Sequence, residues 1–214
     1  TNAGGGYYLG RHNCGQILAN AFEIYAPDTV TSISFFVDDQ SVINSFLRVE
    51  LYEYDPTQSL NSGAPPVWLE SSDDYALTSA DIGSWVTLKL NSPVSVFPGI
   101  PGTGSTAYLA AVYGYAHPID TTLISSSGSD GVVSFIQDNG CNIGSGGFGY
   151  WYSAAKTLMI RMNLGNVSIT SFINEDSFAK NITVYPNPTS DKITIDINNN
   201  KAENITISLT NVLG

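Results

Sequence analysis

Apolar and polar positions along the chain alternate with a period of two far more often than they recur at helical spacing. Ile33, Phe35 and Val37 alternate with Ser34 and Phe36, and Leu47, Val49, Leu51 and Tyr54 alternate with Arg48, Glu50 and Glu53. A strand with one face on a core shows this pattern, because successive side chains point to opposite sides of a sheet. Further strand-like runs cover residues 17–25, 85–90, 94–97, 108–113, 132–137 and 157–164. Between them lie turn clusters such as Asp38-Asp39, Asn61-Ser62-Gly63, Pro98-Gly99, Ser127-Gly128-Ser129-Asp130-Gly131 and residues 144–147. Few windows hold apolar residues at i, i+3, i+4 and i+7 without a Gly, Pro or β-branched interruption. The stretch Thr78-Ser79-Ala80-Asp81-Ile82 predicts one short helical turn, capped by Thr78 or Ser79. About eight or nine short strands without helices between them predict an all-β fold of two packed antiparallel sheets, a jelly-roll-like β-sandwich, with a closed barrel as the alternative.

The pattern changes after Leu164. Residues 165–181 are polar with scattered apolar positions and read as a linker between a sandwich domain at 1–164 and a second β-rich block at 182–214. In that block two alternating strands flank Pro186-Asn187-Pro188-Thr189, since Pro fixes φ and keeps the residue before it out of the helical region. A third strand is predicted at 205–209.

Charge narrows the partners. Charged residues make up 13% of the chain, about half the roughly 25% of an average soluble domain, while abundant Ser, Thr, Asn, Gly and Tyr suit exposed β-structure. A net charge of −11 with eight dispersed Lys and Arg leaves no basic stripe to meet phosphates, which argues against nucleic acid and anionic membranes. The longest apolar runs, such as 107–112, fall far short of the roughly 20 residues of a membrane helix. The chain opens at Thr1 with neither Met nor a basic and apolar signal segment, so an export signal, and any domain before it, is expected to have been removed.

Residues Val184, Tyr185, Pro186, Asn187, Pro188, Thr189, Ser190 and Asp191, then Ile193, Ile195, Ile207, Leu209 and Asn211-Val212-Leu213-Gly214, closely resemble the start of the type A sorting domain of the type IX secretion system. The resemblance implies a small Ig-like β-sandwich, here its N-terminal part, because family members continue with further strands. It also implies recognition by an outer-membrane shuttle barrel, then removal or exchange for an anchoring glycolipid by a sortase-like peptidase. The implied address is secreted, or on the outer-membrane cell surface of a Gram-negative bacterium. Edge strands with unpaired backbone groups offer a physical means of recognition by strand pairing. More loosely, residues 4–10, 19–22, 30–35 and 156–162 look like accessory jelly-roll domains that precede such sorting domains.

Candidate chemistry is sparse. Nucleophilic catalysis would need a base beside a Ser or Cys, and His12 and His117 are the two histidines. His12 lies close before Cys14, but neither a nucleophile-elbow nor a papain-like context surrounds them, and no catalytic residue is assigned. Glu23, Glu50, Glu53 and Glu70 are the candidates for a glycosidase carboxylate pair, although alternation puts Glu50 on a polar strand face where a solvated carboxylate is expected. Asp38-Asp39 and Asp73-Asp74 lie in predicted loops and offer oxygens to a structural calcium, without a calcium-loop motif. No other cofactor or metal is assigned. Cys14 and Cys141 sit in loop-like settings without any CxxC or Cys/His cluster, and in an oxidising compartment they are either one disulfide or two unrelated thiols.

Aromatic residues make the best case for a ligand surface. Tyr52 and Tyr54, Trp68, Tyr113 and Tyr115, and Tyr150-Trp151-Tyr152 include rings that cannot all point inward. Tyr113, Tyr115, Tyr150, Tyr152 and Trp68 are therefore candidate ligand-binding side chains for glycans, against the competing role of packing. Tyr150 and Tyr152 should share one strand face, with Trp151 on the other. Sequons at Asn166, Asn181 and Asn204, and Asp28-Thr29 and Asp120-Thr121 as O-glycan acceptors, add weak signals. The sequence thus points to a non-catalytic secreted module for adhesion or carbohydrate recognition, joined to a sorting signal. The alternatives are the accessory end of a larger secreted hydrolase or peptidase, and a structural surface-layer component.

Overall fold

Strands supply the regular structure of the residues that the computed structural model describes, namely 5–9, 15–61, 65–99, 107–115, 122–130, 133–140, 143–165, 182–185 and 194–197. Contacts divide the chain into two units, Thr1–Val167 and Ser168–Gly214. The first contains β1 (Gly6–Leu9), β2 (Gly15–Glu23), β3 (Asp28–Phe36), β4 (Phe46–Tyr54), β5 (Val67–Ser71), β6 (Tyr75–Ala76), β7 (Trp85–Val96), β8 (Ala107–Gly114), β9 (Thr122–Asp130), β10 (Ser134–Asn139), β11 (Trp151–Ser153), β12 (Lys156–Leu158) and β13 (Ile160–Leu164). The second contains β14 (Ile182–Tyr185) and β15 (Thr194–Ile197).

The front layer runs β11-β10-β2-β8-β4-β5, with β6 also beside β4. The back layer consists of β7-β3-β13 and β12-β9-β1, all antiparallel. Its two halves are joined at Met159, whose N–H donates to Ser125 on β9 while its carbonyl accepts the N–H of Phe36 on β3. A bridge between Val37 and Ile124 closes the same seam. Most connections cross from one layer to the other, as in a jelly roll, and the layers stay open at their edges rather than closing into a barrel.

The core fills the space between the layers. Leu18, Leu47, Val49, Leu51 and Val112 from the front meet Ile33, Phe35, Val86, Leu90 and Ile124 from the back. Each such side chain stabilises the fold by roughly 1.5–3 kcal/mol relative to exposure. Polar groups also stand in the interior. Asn20 on β2 donates from Nδ2 to the carbonyls of Leu158 (2.9 Å) and Ile160 (3.0 Å), on either side of the break at Met159. Its Oδ1 accepts the hydroxyl of Ser134 (2.5 Å), and the Ser134 Oγ accepts the N–H of Leu158 (3.0 Å). Backbone groups that the strand crossover would orphan are thereby satisfied in the interior.

Several sequence expectations need correction. The run 157–164 is two strands, β12 and β13, which break at Met159 and pair with β9 and β3 respectively. Runs 85–90 and 94–97 are one strand, β7, which passes through Pro93; the proline is tolerated because β7 is an edge strand and its register to β3 shifts there. Ser127 to Asp130 continue β9 rather than forming a turn. The preceding serines escaped the hydrophobic pattern because they are buried with partners: Ser125 donates to Asp38 and Ser126 to the Gly5 carbonyl. The predicted helical turn at 78–82 is a non-helical turn in which Thr78 donates both its N–H and its hydroxyl to Asp81. Tyr54 lies with Tyr52 on the outer face, not with Leu51, because β4 keeps its two-residue period to its end.

In the second unit β14 and β15 pair antiparallel, from Ile182 opposite Ile197 to Tyr185 opposite Thr194. These are the strands expected on either side of the proline-bracketed turn. Pro186, Asn187, Pro188, Thr189 and Asp191 lie outside the described residues, as do residues 166–181 and the predicted strand at 205–209.

Replacing Asn20 by Ala should lower the unfolding free energy by about 3 kcal/mol, the cost of leaving buried polar groups without partners. Ser129→Ala, on the exposed end of β9, should stay within about 0.5 kcal/mol in the same urea titration. Equal effects of the two would show that the carboxamide does not bear on stability.

Candidate functional site

The front sheet has a second apolar face. On the side away from the core, Ile17, Ala19, Leu109, Ala111 and Trp151 form a buried cluster with Tyr52, Tyr54, Leu60 and Phe135 packed against it. The loop after β4 covers one end of this face. Asp55 organises it by accepting the N–H and hydroxyl of Thr57 (2.9 and 2.6 Å), and Asn61 seals it by exchanging two hydrogen bonds with the backbone of Trp151 (2.5 and 2.6 Å).

Beyond that cover the face opens into a groove of about 430 Å³ that crosses β10, β2, β8, β4 and β5. Ile17, Tyr113 and Arg48 lie along its floor, and Gln137 and Asn139 bring amides to one side. Trp68 on β5, 52% exposed, stands at one end, and Phe148, 81% exposed, at the other.

A charged network underlies the floor. Arg48 places Nε and Nη2 at 2.7 and 2.6 Å from Oε1 of Glu50, and Tyr52 donates its hydroxyl to Oε2. Nη1 of Arg48 donates to the Tyr115 hydroxyl (2.9 Å), which donates in turn to Asp74. The guanidinium lies 4.5 Å from the centre of the Tyr113 ring, a cation–π arrangement, and Tyr113 meets Tyr115 edge to face. Burial above all, and then the Glu50 carboxylate, push the Tyr52 hydroxyl well above the usual tyrosine range. Glu50 is only 2% exposed, which overturns the expectation of a solvated carboxylate. Alternation identified its face correctly, but Arg48 and Tyr52 on that same face close over it.

The loop 140–149 carries Phe148 and hangs from Asp138 at the end of β10. This fully buried carboxylate accepts the N–H groups of Gly140 (2.8 Å) and Ile143 (2.9 Å). Farther along, the Tyr152 hydroxyl accepts the N–H of Gly146 (2.7 Å). A Cβ at Gly144 or Gly146 would run into the rings of Tyr152 and Tyr150, so the loop can lie this close only with glycine at both positions.

Of the five aromatic candidates, Trp68 and Tyr113 line the groove. Tyr115 braces Arg48, while Tyr150 and Tyr152, with ring centres 5.0 Å apart, support the Phe148 loop. Trp151 is buried on the opposite side, as the alternation predicted. Phe148, Gln137, Asn139 and Arg48 were not singled out from sequence; Tyr52 was named among the surplus aromatics and Glu50 among the carboxylates, without their pairing through Arg48. The signals were three consecutive same-face positions with groups that pair, and one aromatic in a glycine run. Asp38 directs its carboxylate to the Gln40 N–H and the Ser125 hydroxyl. Among the described residues no three His, Cys, Asp or Glu gather as metal ligands. Cys14, Cys141, His12 and His117 lie outside the described residues.

Asp138→Ala should speed amide exchange at Gly140 and Ile143 by about tenfold or more, the equivalent of losing one charge-assisted hydrogen bond each. Unchanged exchange at both amides would show that the loop is held by other means.

No curated protein matches the chain. Residues 183–214 match the family model described as the secretion system C-terminal sorting domain, a span that takes in β15 and all but the first residue of β14. The chain is therefore a type IX secretion cargo, directed to secretion or cell-surface export by the sorting domain in its residues 183–214.

Proposed function

We propose that the sandwich is a non-catalytic glycan-binding module, carried outside the cell by its sorting domain. The observation that carries this reading is the groove across the front sheet, with Trp68 and Phe148 exposed at its ends and amides along its side. The C–H face of a sugar ring is apolar and slightly positive, and it settles on the electron-rich face of an aromatic ring. Sugar hydroxyls both donate and accept, and carboxamides such as those of Gln137 and Asn139 answer both needs. The volume falls within the roughly 300–1,000 Å³ of small-ligand sites. The Glu50 carboxylate is held by Arg48 and Tyr52, which suits a structural role better than proton transfer.

A glycan array probed with the full chain tests the reading. Binding should fall about tenfold or more in Trp68→Ala and in Phe148→Ala, each removing one stacking plane, or roughly 1.4 kcal/mol. Binding that survives both substitutions would place the ligand elsewhere, and a silent array would remove the glycan.

On the export side, the partners are the outer-membrane shuttle barrel and the sortase-like peptidase that type IX sorting domains imply. The full chain should cross-link to a barrel protein in the outer membrane, and a chain lacking residues 183–214 should not. Equal cross-linking of both would rule out recognition through this segment.

A further inference from the structure

We infer that the groove takes an uncharged glycan chain laid across the strands, and that the Arg48–Glu50 pair keeps acidic sugars out. The inference rests on the glycan reading above and adds the ligand's charge, length and direction.

Charge comes first. Among the described residues lining the groove, Arg48 and Glu50 are the charged ones, and they cancel. An arginine waiting for a carboxylate or sulfate would present its fork to the ligand. Here Nε and Nη2 engage Glu50 and Nη1 engages Tyr115, three of the five N–H donors, and the flat face rests against Tyr113. Asp74 lies behind Tyr115, and the whole chain has a net charge of −11, so the surrounding field repels anions.

Length and direction follow from register. Gln137 stands opposite Ile17, Ile17 opposite Tyr113, and Tyr113 opposite Arg48. The groove floor is thus one row of paired positions perpendicular to the strands, and Trp68, one strand farther on at β5, stands opposite Tyr52, four residues along β4 from Arg48, so the groove runs obliquely across the sheet. Four strand spacings of about 4.8 Å separate its two ends by at least about 19 Å. A single sugar ring cannot meet both Trp68 and Phe148; a chain of several can.

Calorimetry with the full-length chain tests this, using neutral hexasaccharides (gluco-, manno- and xylo-configured), the matching monosaccharides and an oligogalacturonate. At least one neutral hexasaccharide should bind about a hundredfold more tightly than its monosaccharide. Its affinity should change less than about twofold between roughly 50 and 500 mM salt, since no net charge is screened. Glu50→Gln, which leaves the Arg48 charge uncompensated, should raise affinity for the oligogalacturonate about tenfold at low salt. Should that variant fail to fold, the salt series on the unsubstituted chain decides alone. Preferential, salt-sensitive binding of the oligogalacturonate by the unsubstituted chain would overturn the inference while leaving glycan binding intact. A monosaccharide bound as tightly as the hexamer would overturn the extended chain. No binding of any sugar in calorimetry and on the array together would end both the inference and the glycan reading.

Discussion

A strand that changes partners inside a sandwich leaves backbone groups where water cannot reach them, and the crossover at Met159 is such a place. Asn20 meets the carbonyls of Leu158 and Ile160, and Ser134 takes the Leu158 N–H, so nothing polar is stranded there. Each unmet group would cost about 1–3 kcal/mol. The consequence reaches further than stability. Asn20 belongs to β2 and Ser134 to β10, two neighbouring strands of the front sheet, and both are fixed to the same point of the back layer. Register in the middle of the front sheet is thereby set from behind, by directional bonds that a sliding hydrophobic contact could not supply.

The groove inherits that register. Side chains alternate strictly, so fixing Asn20 toward the core fixes Ile17 and Ala19 on the outer face, and Ser134 does the same for Phe135 and Gln137. Small residues at Ala19 and Ala111 let Trp151 and Tyr52 settle onto the sheet, while larger ones in the next row make the floor. The Arg48–Glu50–Tyr52 run then holds this part of the floor by mutual pairing, which keeps a buried carboxylate from being left alone.

Much of the fold was legible in the sequence because half-buried strands write their period into it: β3, β4 and the β14–β15 pair follow directly from alternation, and β8 from a continuous apolar run between turn signals. β9 was missed because Ser125 and Ser126 are interior residues satisfied by hydrogen bonds, which no hydrophobic pattern records. Aromatic candidates were identified by excess, since too many rings were present for one core. Their roles were not, because whether a tyrosine lines a groove, braces an arginine or supports a loop depends on contacts between positions far apart in the chain. Tyr115 meeting Asp74 is one case, and Asn61 meeting Trp151 another. The sorting segment differs in kind: its signal is local, a proline-bracketed turn between two short strands, and the family match falls on the same residues.

The stem of the Phe148 loop joins the sheet through the buried Asp138 carboxylate and backbone bonds between Asp138 and residues 149–150, and its closest approach relies on glycines lying against the Tyr150 and Tyr152 rings. Such an attachment is modular. Segments of other lengths or compositions between Gly140 and Gly149 could be grafted onto the same Asp138 without disturbing the sandwich beneath, so the reach of the binding face can diverge while its scaffold stays constant.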